Sequence, residues 1–117
     1  MKIFSLYNIK GGVGKTTSAV NLAYLSASEG ARTLIWDLDP QGSTSYYLCV
    51  KPSIKGGVKE LIGGHPDTQG LLRMTGFPNL DLLPADLSYR HMERHLDHQS
   101  KPLASLIKIL KPLQKQY

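Results

Sequence analysis

At 117 residues the chain has the length of one domain and can bury a working core. Its composition is that of an ordinary globular protein, 41% hydrophobic and 20% charged, and its apolar runs are far shorter than the ~20 residues a membrane span needs. The single cysteine, Cys49, excludes an internal disulfide or a thiolate metal cluster, and the net charge of +5 permits contact with nucleic acid or anionic surfaces without establishing it.

In chain order, "KIFSLYNI" (Lys2 to Ile9) is rich in apolar and aromatic residues and reads as a buried strand. It is too short for a signal peptide and no small-residue cleavage site follows, which argues for the cytoplasm. "GGVGK" breaks the strand, and from Lys15 to about Ser28 a broad apolar face of Ala19, Val20, Leu22, Ala23, Leu25 and Ala27 predicts a helix ended by Gly30. "ARTLIWDLD" is a second strand, and strand–loop–helix–strand is the order of a right-handed parallel unit. "PQGSTSYYLCV" reads as a polar turn entering a short apolar segment, with Tyr46 and Tyr47 as packing residues and Cys49 as a buried or half-buried small hydrophobe. "GVKELIGG" holds two helical turns with Val58, Leu61 and Ile62 on one side, "HPDTQG" is loop, and "LDLLPAD" is a third strand stopped by Pro84. One helix is expected over roughly Ser88 to His98. A second starts near Ser100, with Pro102 in its first turn and Leu103, Leu106, Ile107 and Leu110 on one face. This alternation predicts an α/β layered fold. The tail lysines, Lys101, Lys108, Lys111 and Lys115, read as a solvated helix face. His91, His95 and His98 have metal-ligand spacing on a helix, but exposed polar residues are the favoured reading.

The chemistry concentrates in "NIKGGVGKTTSAVNL", Asn8 to Leu22. A strand that ends in glycines and feeds a helix is an anion site, because bare backbone approaches phosphate closely and N–H groups and the helix dipole point at it. Gly11, Gly12 and Gly14, with Val13 between them, supply that loop. Lys15 is placed to reach β- and γ-phosphates, the Thr16 hydroxyl to ligate Mg²⁺, and Thr17 to bond the α-phosphate. In "WDLDPQG", Asp37 and Asp39 sit where the second strand leaves the sheet, the edge at which doubly wound folds bind ligands. One acid is suited to the Mg²⁺ hydration shell and the other to positioning an attacking water, although Asp39 also suits a plain Asp-Pro turn.

Together, "KGGVGKTT", "DLDPQG" with "STS", and "NLDLLPAD" resemble the ParA/Soj branch of the ParA/MinD class of P-loop ATPases, which carries a deviant Walker A loop. Ile9 occupies the place of the usual first glycine, and Lys10 stands where that class has a signature lysine five residues before the loop lysine. The resemblance implies a partial P-loop NTPase fold, doubly wound with a mainly parallel sheet and flanking helices. It implies ATP and Mg²⁺ as cofactors, Lys10 reaching the partner subunit's ATP as a trans charge clamp, and Asp39 as the water-positioning acid with Asp37 nearby in the Mg²⁺ shell. It also implies an ATP-dependent homodimer, nonspecific DNA binding and a ParB-like partner that stimulates hydrolysis, with no membrane contact. The MinD branch lacks the "PQG" turn and carries a membrane helix; nitrogenase-type iron proteins need cysteines.

The same resemblance implies a continuation past Tyr117 into a strand of the "DYIIIDCPP" type, lying between the first two strands of this sequence. Residues 1–117 are therefore expected to be the N-terminal portion of one such domain, with little or no turnover alone. They are expected to bind phosphate weakly, to repair their sheet with another copy, or to close the first two strands directly on each other. The alternative reading is a non-catalytic interaction module that pairs with itself or with a full-length relative.

Overall fold

Strand β3 (Leu80–Leu83) is the centre of a three-stranded mixed sheet of order β1-β3-β2. The computed structural model describes residues 1–117. β1 (Thr33–Trp36) lies parallel to β3 with Thr33 opposite Leu80 and Trp36 opposite Leu83; β2 (Arg73–Met74) is a short antiparallel edge. Leu80, Leu82 and Leu83 are at most 1% exposed, so β3 is covered on both faces. The period-two alternation of a strand sends Leu80 and Leu82 to one side and Leu83 to the other.

Helix α1 (Lys15–Ser28) covers the first side. Val20 joins Leu48 and Leu82, while Ala23 and Ala27 lie on Leu80, with Ile35 beside both groups. Two alanines at this contact let the helix approach the sheet closely. The helix ends as the sequence indicates: Gly30 takes φ 93° and its N–H donates to Ala27 O. The second side carries the larger core, in which Ile54, Val58, Leu61, Ile62, Leu71, Leu83, Tyr89 and Ile109 pack together. It is built by α3 (Gly57–Gly63), the single turn α4 (Thr68–Leu71), α5 (Met92–Asp97) and α6 (Pro102–Leu110). Burial pushes the Tyr89 phenol up to about 12, and its hydroxyl donates to Pro84 O.

Several expectations are corrected. Residues 2–9 form no strand and are exposed throughout, Phe4 by 83% and Ile9 by 89%. An apolar segment is buried only where neighbouring strands and helices cover it, and here no strand lies beside it; the direct closure of this segment on β1 does not occur. Leu22 and Leu25 of α1 are more than half exposed for the same reason. The turn after "PQG" is helical, α2 (Ser43–Tyr47), and "HPDTQG" contributes α4, whose N-cap Asp67 accepts from Gly70 N. The expected helix from Ser88 to His98 is broken into a 3₁₀ turn, Leu87–His91, and α5. In α6 the inward residues are Ser105 and Ile109 with Leu106 partly buried, while Leu103 and Ile107 face solvent. "PLASLIKIL" is apolar on more than one stripe, so its sequence alone does not choose the buried one. Lys101, Lys108, Lys111 and Lys115 are exposed as expected, as are His91 and His98, whereas His95 is half-buried.

The turn after β3 is bound to α3 by Asp86. Its carboxylate accepts from Ser88 N, Ser88 Oγ and Ile54 N, and Ser88 Oγ accepts in turn from Val58 N. Burial alone would push the Asp86 carboxyl up, but these hydrogen bonds outweigh it and hold its pKa below the ordinary 3.8. A carboxyl depressed in the folded state stabilises above its unfolded pKa and loses that contribution as the pH falls through the folded value. We expect Asp86→Asn to lower the urea midpoint at neutral pH. It should also flatten the fall in midpoint below about pH 4; an acid limb as steep as in the unsubstituted chain would refute the assignment.

Candidate functional site

The site lies where the loop before α1 meets the carboxyl end of β1. Gly12 (φ 72°) and Gly14 (φ 88°) adopt the left-handed conformation, which a side chain at either position would strain. Gly14 is the N-cap of α1 and no side chain caps the helix; Ser18 N donates to Gly14 O, so the amides of residues 15–17 remain open to an external acceptor. Asn8 braces the loop, accepting from Lys10 N through Oδ1 at 2.8 Å, and its carbonyl lies 3.5 Å from Lys15 Nζ. Lys10, Gly11, Gly12, Val13 and Gly14 are exposed, Lys15 and Thr16 half-buried, and Thr17 exposed. A cleft of about 310 Å³ opens beside the loop between Tyr7, Asn8, Val13 and Lys15.

Asp39 comes to this loop. Its Oδ2 lies 3.7 Å from Lys15 Nζ, with the two side chains 35% and 36% exposed. Its Oδ1 accepts from Gln41 N at 2.9 Å and its carbonyl accepts from Gly42 N at 2.8 Å, which closes the "DPQG" turn. Gly42 is required twice over: φ is 67°, and an added Cβ would stand 2.7 Å from Pro52 Cβ. Lys15 is held only by these two long contacts, so its ammonium is free to swing to a phosphate at the start of α1. That freedom, the open amides and the glycine-rich loop fit a bound nucleoside triphosphate.

Asp37 is differently placed. Its N–H continues the β1 ladder to Leu83 O, and the residue is 4% exposed. Oδ2 accepts from both Ser45 N and Ser45 Oγ at 2.8 Å, and Oδ1 accepts from Asp39 N at 3.3 Å. Neither Asn8 nor Ser45 stands out in the sequence as a site residue. Asx- and serine-turn chemistry signals the first, whereas nothing local marks the second. Tyr46 and Tyr47, expected to pack, are 66% and 60% exposed, because α2 turns Thr44 and Ser45 inward instead. Cys49, expected to be at least half-buried, is exposed with φ 57° at the end of α2, where the chain must reverse.

The chain matches a family model described as an AAA domain, AAA_31, over residues 1–117. It is 38% identical over 117 residues to the chromosome partitioning protein ParA of Myxococcus xanthus, covering 99% of this chain and 41% of that protein. Among solved structures, a cobyrinic acid a,c-diamide synthase from Mycobacterium smegmatis with bound ATP analogue and magnesium superposes with a TM-score of 0.84 at 29% identity. That match covers 95% of this chain and 46% of the other. A plasmid partition protein from Borrelia burgdorferi gives 0.79 at 28% identity, covering 96% and 50%. The chain thus spans half or less of the length of these relatives.

Proposed function

Since the chain belongs to the AAA_31 family of AAA domains and is of the ParA/MinD type of P-loop ATPases, we propose that it binds ATP with Mg²⁺ as the N-terminal portion of a partition ATPase. The cargo class is chromosomal or plasmid DNA. The observation that carries this is the meeting of Lys15, the uncapped start of α1 and Asp39, with 3.7 Å between the lysine and the acid. Lys15 holds the β- and γ-phosphates, with the amides of Gly11 to Thr17 around them. Thr16 would hold the Mg²⁺, with Asp37, buried on Ser45, as the nearby acid of its shell, and Asp39 would orient the attacking water. Bound Mg²⁺ would neutralise phosphate charge. Lys10, exposed and hung on Asn8, is free to reach a partner subunit's nucleotide, so the active form is an ATP-dependent homodimer. Nonspecific DNA and a ParB-like protein are its partners, and residues 1–117 alone turn ATP over slowly or not at all.

A second reading rests on a separate observation. Ile3, Phe4, Tyr7 and Ile9 are 69% to 89% exposed, and β1 has a strand on one edge only. Such surfaces pair with other chains, which suits a regulatory module joined to itself or to a full-length relative.

Calorimetry with a non-hydrolysable ATP analogue and Mg²⁺, together with sedimentation, separates the two. The ATPase reading expects saturable binding, analogue-dependent dimers, and a Lys10→Ala variant that keeps binding but loses the dimer. An unchanged dimer population in that variant would rule out the trans role of Lys10. Self-association without any analogue binding would favour the module.

A further inference from the structure

We propose that Ser45 is a positioning residue for Asp39, acting through Asp37; this rests on the nucleotide-binding reading above. Asp37 is buried, and the ion pairs of the chain, Lys15–Asp39 and Arg32–Asp81, do not include it. A buried carboxylate without a cation must be satisfied by hydrogen-bond donors. Ser45 provides two of them, its N–H and its hydroxyl, both on Oδ2. Ser45 is itself 0% exposed, and its Oγ also accepts from Ala85 N at 3.0 Å. One hydroxyl therefore joins the end of β1 and α2, eight residues apart, to the turn after β3, forty residues further on.

Asp39 hangs from the same carboxylate. Its N–H donates to Asp37 Oδ1, and the turn that orients its side chain closes on Gln41 and Gly42, just before α2. With Ser45 in place, both ends of residues 37–45 are fixed, and Asp39 Oδ2 is held facing Lys15. Without the hydroxyl, Ala85 N loses its acceptor and Asp37 loses a donor. The loop then loosens at both ends. Asp39 and Asp37, the acid of the proposed Mg²⁺ shell, are set by the same hydroxyl, so the consequence falls on Mg²⁺-dependent binding.

The test is a double-mutant cycle on the full chain. Ser45→Ala is expected to weaken binding of the ATP analogue about tenfold with Mg²⁺, the scale of one hydrogen bond to a charged group. In EDTA the change should stay within about twofold. In an Asp39→Ala background the same substitution should add nothing, because the two residues act as one unit. An equal loss with and without Mg²⁺, or an undiminished loss in the Asp39→Ala background, would overturn the proposal. Amide exchange provides a readout that needs no nucleotide. Ser45→Ala and the near-isosteric Asp37→Asn should both speed exchange at Asp39 and Ala85 while leaving Leu82 and Leu83 protected. Should the unsubstituted chain fail to bind the analogue, the nucleotide reading falls, and the exchange pattern alone judges Ser45: unchanged protection at Asp39 refutes it.

Discussion

Lys15→Ala is expected to weaken binding of an ATP analogue by about two orders of magnitude, with no change in the thermal midpoint. Charge-assisted bonds from one ammonium to two phosphates are worth roughly 3 kcal/mol together, and each 1.4 kcal/mol is tenfold. Stability is spared because the lysine is more than a third exposed and makes only long contacts, 3.5 Å to Asn8 O and 3.7 Å to Asp39. Titration calorimetry with Mg²⁺ reads the affinity, and a thermal melt reads the fold. A loss smaller than about fivefold would show that the open amides of α1, and not the lysine, carry the phosphate.

The largest expected effect on stability is at β3. Leu83 is 0% exposed and packs with Ile54, Val58, Leu61 and Ile109, so Leu83→Ala leaves a cavity that its neighbours cannot fill. Such truncations cost about 2–5 kcal/mol, against a total of roughly 5–15 for a domain. Urea denaturation should show a lower midpoint or no cooperative transition. Leu103→Ala, on the exposed stripe of α6 at 76% exposure, is the control and should stay within about 0.5 kcal/mol. Equal costs for the two leucines would mean that α6 is seated on its other face.

How far the sequence discloses this protein depends on whether a residue's role is set by local chemistry or by distant neighbours. Gly12, Gly14 and Lys15 are legible because positive φ and a cation at a helix start leave few alternatives. α1, β1, β3 and the apolar side of α3 are legible because period and punctuation agree along each segment. Residues 2–9 look like any buried strand, yet their burial depends on strands to lie against them, which no pattern within eight residues can guarantee. Ile107 and Ile109 are chemically alike, and only packing against Leu83's cluster decides which is inside. Ser45 is the clearest case: its partners are Asp37, eight residues away, and Ala85, forty away. No local signal connects them.

Cys49 offers a practical route to that loop. It is the chain's single thiol, it is exposed, and it directly follows α2, with its N–H on Tyr46 O and the next residue's N–H on Ser45 O. A maleimide dye would therefore react at one place only, without an engineered cysteine and outside the buried Asp37 cluster. Its fluorescence anisotropy would report on α2 in real time as nucleotide and metal are added. The same thiol would also cross-link copies under oxidising conditions, so association by the apolar N-terminal segment should be measured in the presence of a reductant.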